Sequence, residues 1–144
     1  MSAGHPGAPR LPFFVYGTLR PGEHHYAWTL AGRTVSELPA RVRGLTLYEG
    51  PGYPYAVEGT GEVTGALVEP DPAAYADVLR VLDKLEDYTP GGTGNLYERG
   101  AATAHLADGT ERTAWLYTAA PPLAAHLRTH GTVIPGGDWL HRPV

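Results

Sequence analysis

Phe13-Phe14-Val15-Tyr16-Gly17-Thr18-Leu19-Arg20-Pro21-Gly22 is an apolar run that stops at a tyrosine, a glycine and a hydroxyl residue before a turn. Leu11 to Tyr16 has the length and the Phe/Val/Tyr content of a strand buried on both faces, and Pro21-Gly22 marks the turn beyond it. At Gly17 the backbone can approach a ligand with no Cβ in the way. The successive amides of Gly17, Thr18 and Leu19 are therefore a candidate cradle for a carboxylate or phosphate. The plainer reading, that Gly17 turns the chain and Thr18 caps the next segment, stays open on these residues alone.

Downstream, Tyr26 to Leu30 followed by Ala31-Gly32 predicts a short helix ended by glycine. Ala40 to Leu47 alternates in the sense of a half-buried strand. Gly50-Pro51-Gly52-Tyr53-Pro54-Tyr55 is too rich in turn formers for either regular element, so it reads as a shaped loop carrying two tyrosines. Gly65-Ala66-Leu67-Val68 predicts another short strand, which runs into Asp71-Pro72. Asp71 is a good N-cap and Pro72 suits the first helical position.

The helix expected from Pro72 to about Glu86 has Tyr75, Val78, Leu79 and Leu82 at the i, i+3, i+4, i+7 spacing of one apolar face. Glu86 falls on that face, about 20° around the axis from Leu79. A carboxylate stands where a leucine is expected. Facing a core, it needs a partner or a chemical task, and desolvation raises its pKa. A frayed helix end reaching water or an arginine is the structural alternative. Asp83, three residues earlier, lies about 40° to the other side of Leu79 and reads as a capping or pairing residue. A carboxylate-pair glycosidase is the weaker reading of the two acids.

Thr89-Pro90-Gly91-Gly92-Thr93-Gly94-Asn95 is a loop. Tyr97 to Leu106 and Glu111 to Tyr117 flank Ala107-Asp108-Gly109-Thr110, which predicts an antiparallel hairpin. A short helix is expected at Leu123 to Leu127 with a stop at Gly131, and Trp139 with Leu140 is expected to cover one end of the core.

The chain has 144 residues, enough for one domain with a continuous core, and its 42% hydrophobic content is ordinary for a globular protein. Residues 1–10 read as a disordered tail and 11–144 as a single domain. With no cysteine there is no disulfide, no thiolate nucleophile and no sulfur ligand. A net charge of −4 and scattered basic residues argue against nucleic acid. No apolar run has membrane-spanning length, and no signal-type h-region follows Met1, so a cytoplasmic location is expected. His24-His25 lacks a third ligand at a recognised spacing, so no metal is assigned.

Five pieces in order carry a resemblance: Tyr16-Gly17-Thr18-Leu19, Gly52-Tyr53-Pro54, Leu82-Asp83 with Glu86, Tyr97 with Arg99, and Trp115-Leu116-Tyr117. Across residues 13 to 140 they resemble the gamma-glutamylcyclotransferase-like family, and most nearly its gamma-glutamylamine cyclotransferases and their bacterial relatives. The resemblance implies an α+β fold, a small mixed β-barrel with flanking helices. It implies Glu86 as catalytic acid/base, and a substrate pocket made by Tyr16, Gly17, Thr18, Leu19, Tyr53, Pro54, Tyr97 and Tyr117. Asp87 departs from the glycine expected after the family's glutamate, which bears on the leaving group.

The implied reaction needs no metal or cofactor, because the gamma-glutamyl amide supplies its own nucleophile: its α-amine attacks its side-chain carbonyl to give 5-oxoproline and a free amine. The expected partner is that small molecule, and the sequence specifies no oligomeric state. A non-catalytic ligand-binding or interaction domain of the same fold is the alternative from a different class.

Overall fold

The computed structural model describes residues 10–17, 19, 20, 23, 26, 29–50, 53–86, 88, 89, 95 and 97–140. Strands β1 (Phe13–Val15), β2 (Thr34–Tyr48), β3 (Tyr55–Pro70), β4 (Tyr97–Leu106) and β5 (Glu111–Ala119) close into a barrel in the order β1-β3-β2-β4-β5. Helix α1 (Tyr75–Leu85) and helix α2 (Pro121–His130) pack outside it. The expected mixed barrel with flanking helices is the observed architecture.

β1 is short and closes the barrel between β3 and β5. Its residues pair with Val68, Leu67 and Ala66 of β3, while Phe13 meets Trp115 of β5 in parallel. Strand alternation sends successive side chains to opposite faces. Phe14 therefore enters the barrel interior with Val42, Leu47, Leu67 and Leu116. Phe13 and Val15 face the outer layer beneath Val78 and Leu82 of α1. Each phenylalanine is fully buried, which contributes about 2–3 kcal/mol relative to exposure. The two-sided burial expected for this strand is thus present, over three residues.

The longest pairing is β2 with β3, antiparallel from Thr34↔Pro70 to Tyr48↔Tyr55, with irregularities at Thr34/Ser36 and Arg43/Leu45. Both strands far exceed the segments expected at Ala40 to Leu47 and Gly65 to Val68. The hairpin of β4 and β5 matches its expected position, and Leu106 N–H closes the turn on the Thr110 carbonyl at 2.9 Å.

Asp71 caps as expected, accepting from the Ala73 amide at 2.9 Å. The first turn, Pro72–Ala74, is a 3-10 turn, and the α-helix starts at Tyr75. Of the short helix expected over Tyr26 to Leu30, residues 27 and 28 lie outside the described set, while Leu30 N–H bonds the Tyr26 carbonyl at 3.0 Å. The expected tail falls on residues 1–9, also outside that set, with Arg10 at its described edge. Helix α2 is twice the length expected: Pro121-Pro122 start it before Leu123, and it runs on through His130 to the stop at Gly131. Trp139 is buried with the barrel core as expected, whereas Leu140 is 37% exposed and stands outside that core. Among the described residues no helix is long and apolar enough to cross a membrane.

Candidate active site

Tyr16 follows β1 directly, at the end of the barrel. Its ring lies against Phe14, and its buried hydroxyl donates to the Tyr117 carbonyl at 2.5 Å. Gly17 follows because space demands it: a Cβ there would stand 2.7 Å from Pro54 Cδ and 3.0 Å from Cγ. The close approach therefore joins the loop after β1 to the loop before β3. Arg20 N–H returns to the Gly17 carbonyl at 3.0 Å, and Leu19 is buried in the outer core with Leu30. Thr18 lies outside the described residues, as do Gly52, Asp87, His24 and His25.

Pro54 is buried, and the tyrosines on either side of it build a wall. Tyr53 meets Tyr55 edge-on at 5.5 Å, and Tyr55 stacks on Tyr97 at 5.7 Å. Burial and the neighbouring Tyr53 hydroxyl push Tyr55 up to about 12. Sequence reasoning passed over Tyr55. Its signal was the tyrosine that ends the loop and begins β3, where one ring can touch both Tyr53 and the neighbouring strand.

Glu86 is the C-cap of α1, with its amide bonded to the Leu82 carbonyl at 3.0 Å. The carboxyl is partly buried, and burial pushes it from 4.5 up to about 7. No described side chain donates a hydrogen bond to it. Its charge reaches three buried hydroxyls and raises each of them: Tyr16 and Tyr97, where burial is the larger cause, and Tyr117, where burial and the Asp83 bond come first. All three therefore remain protonated at neutral pH, with the Tyr16 proton given to the Tyr117 carbonyl and the Tyr117 proton to Asp83. Glu86, Tyr16, Tyr97 and Tyr117 thus share one environment, with Gly17, Tyr53 and Pro54 along its border.

Asp83 faces elsewhere. It receives Arg99 through Nε at 3.0 Å and through a second guanidinium nitrogen at 3.3 Å, and the Tyr117 hydroxyl at 2.5 Å. Leu79, Asp83, Tyr88 and Arg99 help line a groove of about 570 Å³ on this side of the helix, and Glu86 is not among its walls. The groove and the Glu86 environment are separate places, and the titration behaviour that suits chemistry belongs to the second. Among the described residues no three His, Asp or Glu side chains converge to hold a metal ion.

A carboxyl titrating near neutrality beside tyrosine hydroxyls can take a proton from an amine and later return it.

The family described as gamma-glutamyl cyclotransferase, AIG2-like, matches residues 13–141. A candidate gamma-glutamylcyclotransferase of Halalkalibacterium halodurans is 40% identical over 97 residues, 65% of this chain and 77% of that protein. The gamma-L-glutamyl-butirosin B gamma-glutamyl cyclotransferase of Niallia circulans is 32% identical over 105 residues, 72% of this chain and 64% of that one, so this chain spans just under two thirds of it. A crystal structure of an AIG2-like protein from Mus musculus superposes with a TM-score of 0.59 at 22% identity, covering 92% of this chain and 84% of that one. That likeness speaks to the fold alone.

Proposed function

This chain belongs to the gamma-glutamyl cyclotransferase, AIG2-like family, and from that premise we propose that it cyclises a gamma-glutamyl amide to 5-oxoproline with release of a free amine. The α-amine nitrogen of the substrate attacks its own side-chain carbonyl carbon. A carbon–nitrogen bond forms in the lactam ring, the amide bond to the leaving amine breaks, and no water is consumed. Because the attack is intramolecular, the protein has three tasks: holding the chain folded, moving a proton and steadying the oxyanion.

Glu86 carries the reading. An α-amine of pKa about 8 arrives mostly as ammonium, and a carboxylate must accept its proton before attack. An ordinary glutamate is a weak base for this task and a poor acid afterwards. A carboxyl held near 7 by burial serves both steps, accepting the proton and delivering it to the departing nitrogen. The hydroxyls of Tyr16 and Tyr97 border the same environment, the Tyr16 proton being given to the Tyr117 carbonyl, and the amides at Gly17 to Leu19 are the candidate cradle for the substrate α-carboxylate. Tyr53, Pro54 and Tyr55 would face the leaving amine. The butirosin relative is named for a gamma-glutamyl group carried on butirosin B, which supports a gamma-glutamyl compound as the substrate class here.

The test is mass-spectrometric detection of 5-oxoproline from a panel of gamma-glutamyl amines and dipeptides, with Glu86→Gln beside wild type. Release by wild type and a loss of about 10²–10⁴ in kcat for the variant are expected. Full activity in the folded variant would remove Glu86 from the mechanism. Saturable binding with no turnover on any panel member would favour a binding domain instead.

A further inference from the structure

One part-buried network runs from helix α1 to the neighbouring strands without including the Glu86 carboxyl. Arg99 of β4 and Asp83 of α1 are each 14% exposed at the side chain and paired through two contacts. The guanidinium lies over two rings, 5.4 Å from the centre of Tyr88 and 4.9 Å from that of Trp115. Trp115 Nε1 donates to the Tyr75 hydroxyl at 3.2 Å, which donates in turn to the Leu11 carbonyl at 2.6 Å. At the other end Tyr117 donates to Asp83, and Tyr16 donates to the Tyr117 carbonyl.

The network therefore ties both ends of α1 to β5 and to both flanks of β1, and it ties the last turn to β4. Glu86 follows Asp83 by three residues, so the anchoring of Asp83 sets where the helix cap falls. A forked guanidinium between two rings loses little further freedom in pairing, so this anchor is stiff.

Charge adds a second constraint. Tyr117 feels Asp83, Arg99 and Glu86 together, so all three charges lie near one hydroxyl. The Glu86 charge is felt by the hydroxyls of Tyr16 just beyond β1, Tyr97 of β4 and Tyr117 of β5, and the Arg99 guanidinium acts on Tyr117 as well, while burial alone raises Glu86 itself. An unneutralised guanidinium in this set would favour the ionised form of Glu86 and spoil it as an acid.

We propose that Asp83 and Arg99 are positioning residues for the chemistry at Glu86: the pair pins the last turn of α1, and its internal neutralisation keeps the guanidinium charge off the Glu86 carboxyl. This rests on the acid/base reading of Glu86. It also separates the two carboxylates of the helix by task, one holding an arginine and one moving a proton.

The experiment is a ¹³C NMR titration of the glutamate carboxyls in the intact protein, with the Glu86 signal assigned by its absence in Glu86→Gln, alongside pH profiles of 5-oxoproline release. Asp83→Asn leaves Arg99 without its counter-charge. The Glu86 midpoint should then fall by about one pH unit, and the acid limb of kcat/KM should move with it. Arg99→Lys keeps the charge and loses the fork, so the midpoint should hold within about 0.3 unit while kcat falls about tenfold with little change in KM.

An unmoved Glu86 midpoint in folded Asp83→Asn would overturn the proposal. Should that variant not fold, Arg99→Lys decides, and wild-type kcat in it would overturn the proposal equally. Persistent activity in Glu86→Gln together with a shifted midpoint in Asp83→Asn would sink the acid/base reading and leave the charge effect of the pair standing.

Discussion

The hydroxyl of Tyr117 lies 2.5 Å from Asp83 Oδ1 while its own backbone carbonyl accepts the Tyr16 hydroxyl at the same distance. One residue of β5 thereby joins the helix that carries Glu86 to the strand that leads into Gly17. Tyr117→Phe keeps the ring and breaks the helix side of that link. The variant should lose about 1–2 kcal/mol of stability in urea unfolding, because Asp83 is left with one donor fewer in a buried place. It should also lose several-fold in kcat. A variant equal to wild type in both would show that the contact holds nothing together.

The pH dependence of turnover follows from Glu86. In the proposed mechanism its carboxylate is the base, and burial pushes it up to about 7, so that it is protonated below that. For the free enzyme, kcat/KM should therefore rise with pH through an apparent midpoint near 7. A midpoint near 4.5 would mean that the carboxyl is solvated during catalysis.

The same shift carries a stability cost of definite sign. Between pH 4.5 and 7 the folded state holds the Glu86 proton more tightly than the unfolded chain does, so stability falls as pH rises through that window. Below it the cost is absent, and above it the cost is complete. Glu86→Gln removes the charge, so the variant should exceed wild type by about 3 kcal/mol at pH 8 and match it at pH 4. Denaturation midpoints at the two pH values check this, and a variant less stable than wild type at pH 8 would contradict it.

Gly17 is limited by sterics alone, since its backbone lies outside the left-handed region. Gly17→Ala should cost about 1–3 kcal/mol and raise KM, because the new methyl meets the Pro54 ring. Adding Pro54→Ala removes the obstructing ring atoms and should recover part of both losses. A double variant worse than the sum of the singles would place the restriction elsewhere.

The elements that sequence reasoning found are those whose pattern is local. The apolar face of α1, the Asp71 cap and the hairpin around Asp108-Gly109 are all decided within a few residues of themselves. The long reach of β2 and β3 is not local. Glu58-Gly59-Thr60-Gly61 has the composition of a turn, yet it runs as strand. Gly59 is small because Thr46 Oγ1 on β2 would lie 2.3 Å from a Cβ there. A closed, coiled barrel creates that crowding, and only the partner strand reveals it. The first half of β2 is half exposed with Pro39 inside it, so it lacks the alternation that marks a strand.

The site divides in the same way. Glu86 was legible because helix periodicity places it on the apolar face. The pairing of Asp83 with something was legible too, but Arg99 as its partner was not, since sixteen residues and a glycine-rich loop separate them. Tyr55 was missed because its neighbours Tyr53 and Tyr97 meet it only through the barrel. Leu140 shows the opposite error, an apolar residue beside Trp139 that stays at the surface.

Intramolecular attack is the central claim, and an isotope experiment tests it most directly. Wild-type protein is incubated with a gamma-glutamyl amine in H₂¹⁸O, and both 5-oxoproline and glutamate are analysed by mass spectrometry. The predicted result is 5-oxoproline without ¹⁸O, formed in step with the released amine and absent with Glu86→Gln. Glutamate carrying ¹⁸O as the primary product would mean that water is the nucleophile, and would contradict cyclisation.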